Sequence, residues 1–381
     1  MSNQPIMHAR IPLAIAAVVS FAVCADGLAV VYPHTDPANT GRWVLNADMS
    51  DEFEGVSLDQ DKWLIQGTDG VYQSNFIGRA PSQFSTDNAR VESGKLKIQT
   101  RWEPDFDFSD QTGQGGLAYE NITTAAVISK QQFQYGYMEI KAKAADAPIS
   151  SSFWMTGNTS ELDVFEHFGR AAYPQQSHLE TEIWSSIHDW NLPQGNNSIW
   201  TDRMQLPFRV ADDFHVYGVD WNEDGLKFYV DGIQIREVLA DDVAGWNLDE
   251  PLWVWVDSET FPWHGLPDAQ DLPVDYEVEY IRVWQEALAG DANADGFVGI
   301  DDLNLVLSIW NTNGSLDPRA DVNGDGFIGI DDLNTVLGAW NSGTPPTIGE
   351  NIPEPTTLAL LGFSGMAWLK RSARCDTRHS K

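Results

Sequence analysis

Between about Pro33 and Glu286 the chain is a succession of short runs in which apolar and polar residues alternate, and few windows carry a helical period. Lys95 to Gln99, Tyr137 to Lys143 and Val278 to Trp284 each read as a strand with one buried and one wetted face. Leu226 to Val230 and Ile233 to Val238 flank Asp231-Gly232, a pair suited to a two-residue hairpin because both positions tolerate positive φ. Roughly 250 residues of short strands with Gly-rich and Asn-rich turns predict an all-β domain over 33–286, a jelly-roll β-sandwich.

Charge narrows the range of partners. The chain carries 23 basic against 56 acidic side chains, a formal net charge of −33. Such a surface repels phosphate backbones and anionic lipid, which argues against nucleic acid and against membrane attachment through a basic patch. At 42% hydrophobic and 11% aromatic content, the chain is also too apolar for a disordered acidic polymer.

Both ends read as transport signals. Arg10 precedes apolar Ile11 to Val23, and Val23-Cys24-Ala25 offers small residues for cleavage, so 1–25 reads as a secretory signal peptide. Near the other end, Pro353-Glu354-Pro355 is followed by apolar Leu358 to Leu369 and then by Lys370, Arg371 and Arg374. Those 12 apolar residues would reach about 18 Å as a helix, short of a ~30 Å hydrocarbon core. The pattern over 353–375 resembles the PEP-CTERM sorting signal. It implies export, handover to envelope sorting machinery, and an extracellular or envelope-associated protein, with 344–352 as a linker. Cys24 and Cys375 both lie at these ends, so no disulfide is expected in the fold.

An internal repeat occupies 290–343. The stretch from Gly290 to Asp302 recurs as Ala320 to Asp332, thirty residues later. Asp291, Asn293 and Asp295, and again Asp321, Asn323 and Asp325, fall at loop positions one, three and five. Gly296 and Gly326 take the sharp turn, Phe297 and Phe327 can offer carbonyls at position seven, and Asp302 and Asp332 close each loop. Oxygen ligands at these spacings suit calcium. After each loop, Leu303, Val306, Leu307 and Trp310, then Leu333, Val336, Leu337 and Trp340, recur at helical spacing. Two loops closed by Asp, each feeding one helix, resemble the type I dockerin, which implies a cohesin-like or cell-surface partner.

The chemistry concentrates in Ser150 to Gly169. On a strand Glu161 and Asp163 share a face, whereas Glu166, five residues from Glu161, would point the other way. A one-residue bulge near Val164 or Phe165 would turn it back. Three acids in one row destabilise a sheet, so their presence points to function. Two carboxyl groups about 5 to 5.5 Å apart are what retaining cleavage of a glycoside uses. Their mutual repulsion would let one hold a proton near neutral pH while the other stays ionised.

The sequence here resembles glycoside hydrolase family 16, whose bulged members carry Glu-x-Asp-x-x-Glu. Supporting stretches include Ser152-Phe153-Trp154, Asp220-Trp221 and Glu279 to Trp284. The resemblance implies Glu161 as nucleophile, Asp163 as assisting acid and Glu166 as general acid/base, with no cofactor for catalysis. It also implies a structural calcium in the catalytic domain whose ligands the sequence does not identify. Gly78-Arg79-x-Pro81-x-x-Phe84 and the stretch from Glu259 to Pro267, with Trp263, are similar to the agarase and porphyranase branch, which often has Trp where this chain has Phe76. Trp154 and Trp263 are the expected sugar platforms and Arg79 and His188 the expected polar contacts, with Phe76 and Glu259 beside them. The net charge favours neutral agarose over sulfated porphyran or κ-carrageenan. A laminarin-type β-glucanase and a carbohydrate-binding protein without catalysis are the other readings.

Overall fold

The computed structural model describes residues 31–343. The segments read as signal peptide, 344–352 linker and sorting signal lie outside the described residues. The chain divides into two compact units, one holding Leu45–Gln285 and the other Thr40–Val44 with the chain from Glu286 onward.

The larger unit is the expected sandwich. One sheet runs in the order Ser198–Gln205, Glu182–Asp189, Ser160–Phe168, Ser150–Thr156, Leu252–Asp257, Ala126–Phe133 and Trp63–Ile65. These neighbours pair antiparallel. The other sheet includes, in order, Ile233–Leu239, Gly225–Val230, His215–Asn222, Gly136–Lys143, Val274–Glu286 and Leu96–Trp102. Alternation supplies each sheet with one apolar face, and the two faces meet in a single core. Phe153, Met155, Leu162, Phe165, Val254 and Val256 from the first sheet pack with Ile98, Met138, Ile140, Tyr276, Val278 and Ile281 from the second. Each such side chain contributes about 1.5–3 kcal/mol on burial.

The sequence-level strands hold, with one informative extension. Val278 to Trp284 is the middle of a 13-residue strand, Val274–Glu286. Its first part pairs with Leu96–Trp102 and the rest with Gly136–Lys143, across an irregularity between Val278 and Tyr280. The hairpin turns at Asp231 (φ 49°) and Gly232 (φ 78°). The Asp231 carboxylate also accepts the Val216 N–H at 2.9 Å.

The smaller unit contains helices α1 (Ile300–Ser308) and α2 (Ile330–Gly338). Its core gathers Ala292, Val298, Val306, Ala320, Val322, Ile328 and Val336. The apolar stripes expected on the helices are only partly buried. Leu307 and Leu337 are 47% and 52% exposed, and Trp310 and Trp340 are 39% and 38% exposed. Each helix stops after nine residues, so the tryptophan at the eighth position of the period falls beyond its end.

Gly136 offers a direct test of sheet closure. It sits at φ 135°, and a Cβ there would lie 2.2 Å from the Trp284 carbonyl oxygen, a backbone atom. Gly136→Ala should lower unfolding free energy by about 2–4 kcal/mol, measured by denaturant titration. A loss below about 1 kcal/mol would mean that the two strands tolerate separation there.

Candidate active site

The acids owe their common face to one extra residue. Along one edge of Ser160–Phe168, Asp163 pairs with Trp154 and Phe165 with Phe153, so two steps match one and Val164 has no counterpart. Along the other edge, Asp163 pairs with Ser186 and Glu166 with Trp184, again one step short. Leu162, Val164 and Phe165 all enter the core, while Glu161, Asp163 and Glu166 line one cleft. The bulge anticipated near Val164 is present.

Cross-strand pairing extends this into three rows over the sheet surface. Glu161 lies in register with His188 on one neighbour and Thr156 on the other, and Asp163 with Ser186 and Trp154. Glu166 falls in a row with Trp184 and Arg203 to one side and Ser152 and Asp257 to the other. These side chains floor a cleft of about 900 Å³. Its walls include Phe76, Arg79, Glu259 and Trp263, so every contact anticipated from the sequence converges on one site.

His188 Nε2 lies 3.1 Å from Asp163 Oδ2 and 4.0 Å from Glu161 Oε1. The Trp190 indole, stacked on His188, donates its N–H to the other Glu161 oxygen, Oε2, at 3.2 Å. Trp154 stacks on Trp255 with ring centres 4.6 Å apart, and its Nε1–H donates to Asp257 at 3.2 Å. One of its faces is therefore committed to the protein. Phe76 packs edge-on against Phe84. Arg79 donates to Glu259 at 3.0 Å, and its guanidinium lies over the rings of Phe261 and Trp263. Trp263, 54% exposed, keeps ring surface open to the cleft.

Burial, then repulsion from Asp163, pushes the Glu166 carboxyl up to about 8, against the partial opposition of Arg79. The same causes, in the same order, raise Glu161, with Glu166 adding to them and the Trp190 N–H opposing. Asp257 is raised by burial and by Glu259. A set of acids so crowded retains protons at neutral pH, shared across the cluster. It can donate a proton from one carboxyl and present another as a nucleophile or base.

Two places could hold a cation. Glu161, Asp163 and His188 offer ligand atoms within 4.8 Å of one another. In the smaller unit, Asp302 and Asp332 are fully buried, and each accepts two backbone N–H groups of its loop. Asp291 similarly binds the Asp295 and Gly296 amides. Asp321 Oδ1 is buried without a hydrogen-bond partner. Buried carboxylates and one orphaned oxygen fit a hard cation.

Sequence reasoning missed Trp184, Trp190, Arg203, Trp255 and Asp257. Trp184 stands on a strand next to the acids, and Arg203, Trp255 and Asp257 stand on strands one further away. Their signal needed the register of pairing, which a single chain does not display.

The family described as beta-porphyranase A-D, GH16 domain, matches residues 43–286. Beta-porphyranase D of Zobellia galactanivorans is 30% identical over 279 residues, covering 67% of this chain and 63% of that protein. The chain thus spans less than two thirds of that relative's length. The crystal structure of porphyranase B from Zobellia galactanivorans superposes with a TM-score of 0.53 at 28% identity, covering 64% of this chain and 92% of that one. The laminarinase catalytic domain from Thermotoga maritima MSB8 gives 0.52 at 25% identity, covering 65% and 99%.

The raised Glu166 fixes the sign of a pH effect. Its ordinary value is 4.5, so between that and about 8 the folded chain holds a proton that the unfolded chain has lost. This component of stability falls as pH rises through that window and levels off above it. Glu166→Gln, which needs no proton, should melt above the native chain, with a gap that is small at pH 5 and grows toward pH 8 in scanning calorimetry. A gap independent of pH would contradict the assignment.

Proposed function

The chain belongs to the GH16 family of glycoside hydrolases, in its beta-porphyranase A–D branch, and on that premise we propose that it is an endo-acting, retaining hydrolase of a red-algal galactan. The observation that carries this reading is the Val164 bulge, which puts Glu161 and Glu166 on one cleft wall with Asp163 between them. Glu166, protonated near neutral pH, donates to the glycosidic oxygen as Glu161 attacks the anomeric carbon to form a glycosyl ester. A water then attacks that ester, and Glu166, now a carboxylate, takes its proton. Asp163, held by His188, orients and tunes the nucleophile, while the Trp190 N–H holds the other oxygen of Glu161. Trp263 and Phe76 supply aromatic surface to sugar rings, and Arg79, bound by Glu259, supplies polar contact.

The net charge of −33 points toward neutral agarose, whereas the family match and the 30% identical relative are porphyranases. We weigh the relatives more heavily, because a mean field is screened within about 8 Å and local cations decide what a cleft holds. A laminarin-type substrate is the second reading, supported by the match to a laminarinase catalytic domain. Reducing-sugar assays on porphyran, agarose, κ-carrageenan and laminarin separate these. Glu161→Ala should lower kcat on the preferred polymer by about 1,000-fold or more, and proton NMR should show first products with retained anomeric configuration. Surviving cleavage in that variant, or inversion, would sink the assignment.

For the smaller unit we adopt the dockerin-like reading. Calcium would neutralise the clustered carboxylates and tie each loop to its helix through Asp291, Asn293, Asp295 and Asp302, and through Asp321, Asn323, Asp325 and Asp332. Exposed Leu307, Trp310, Leu337 and Trp340 would be available to a cohesin-like or cell-surface partner. Export, with handover to envelope sorting machinery, completes this reading. Isothermal titration of the full chain with calcium should give about two ions per chain, falling to about one in Asp332→Ala. No calcium uptake in the native chain would remove it.

A further inference from the structure

Arg203 is a cation that packs on Trp184 and enters no ion pair among the described residues. It projects from the edge strand Ser198–Gln205, in register with Trp184, which is in register with Glu166. Neighbouring strands lie about 4.8 Å apart, so Arg203 stands roughly 10 Å along the cleft from the acid/base. Its guanidinium lies over the Trp184 ring, 3.7 Å from the centroid, and none of the ion pairs among the described residues includes it. Glu182, the acid two residues before Trp184, is already occupied: its two oxygens accept the Trp184 indole N–H at 2.8 Å and the Gln205 amide at 2.7 Å. By contrast, Arg79 on the opposite wall is held by Glu259. In a chain of net charge −33, an exposed arginine that lines a substrate cleft, outside every ion pair among the described residues and felt by Glu166 only as a longer-range charge, stands apart.

A guanidinium stacked on an aromatic face keeps its N–H edge directed outward in a fixed fork. That geometry suits two oxygens of a tetrahedral oxyanion. Thr201 and Ser186 in the adjoining row and Ser198 in the one beyond add neutral hydroxyls, Thr201 hydrogen-bonded to both others and separated from Asp163 by Ser186. We propose that Arg203, braced by Trp184, is a specificity-determining seat for a sulfate ester on the galactan, about two strand spacings from the point of cleavage. This inference rests on the galactanase reading above and makes it narrower. The seat would admit sulfation at one place along the bound chain, and it offsets there the repulsion that the protein's mean charge imposes on an anionic polymer.

The test compares kcat/KM on native porphyran and on the same polymer after chemical desulfation, for the native enzyme, Arg203→Ala and Arg203→Lys. The ratio of sulfated to desulfated kcat/KM should fall at least tenfold in Arg203→Ala, with Arg203→Lys between. In a Glu161→Gln background, calorimetric affinity for sulfated oligosaccharides should drop by a similar factor when Arg203 is removed. An unchanged ratio, or equal losses on both polymers, would overturn the seat and leave Arg203 as a brace for Trp184. Absence of cleavage of either polymer by the native enzyme would instead overturn the galactanase reading. Melting temperatures of all variants distinguish lost recognition from lost folding.

Discussion

One surplus residue decides what this sheet can do. Without Val164 in excess, strict alternation would send Glu166 into the same apolar layer as Leu162, where an ionisable group has no counter-charge. With it, two consecutive side chains, Val164 and Phe165, turn inward, and the carboxyl emerges beside Asp163. The bulge satisfies both requirements at once, because core packing gains Phe165 while the cleft gains an acid. Neither a shift of the whole strand nor a change of one residue type would do the same, since a slipped register would invert every side chain.

The crowded acids work against folding and are held in place by what surrounds them. Glu161, Asp163, Glu166, Asp257 and Glu259 share a cleft in which Arg79 pairs with Glu259, His188 contacts Asp163 and Arg203 opposes Glu166 from further off. Burial favours the protonated forms of Glu161, Glu166, Asp257 and Glu259, so the site stores protons where a solvated surface would store charge. The surrounding aromatic layer, with Trp154 on Trp255 and Trp184 under Arg203, limits water access and strengthens every polar contact inside. A well-filled core between the sheets supplies the stability that this arrangement removes.

Much of this was legible in the sequence because it depends on local rules. Alternation gave the strands, Asp231-Gly232 gave the hairpin, and the spacing of Glu161, Asp163 and Glu166 demanded a bulge. Phe76, Arg79, His188, Glu259 and Trp263, the contacts expected from the sequence, all line the cleft. What escaped was pairwise. Trp184, Arg203 and Asp257 join Glu166 only through hydrogen-bonded neighbours that are distant in the chain, and no local pattern encodes which strand lies beside which. Trp154 was anticipated as an open platform, yet Trp255 covers one of its faces. The helical spacing after each loop gave the two helices, although each ends after nine residues, before Trp310 or Trp340.

The strand order of the cleft has a kinetic consequence. Ser150–Thr156 is flanked by Ser160–Phe168, its immediate successor, and by Leu252–Asp257, about a hundred residues later. A growing or refolding chain can therefore form the acid-bearing hairpin early, but it lacks half of the floor until the late strand arrives to close the sheet. Such non-local closure is slow, because loop entropy must be overcome before the contacts that reward it exist. Truncated or half-folded chains would carry the reactive carboxyls on an open hairpin exposed to water, with ordinary acidity and no groove to hold a polymer.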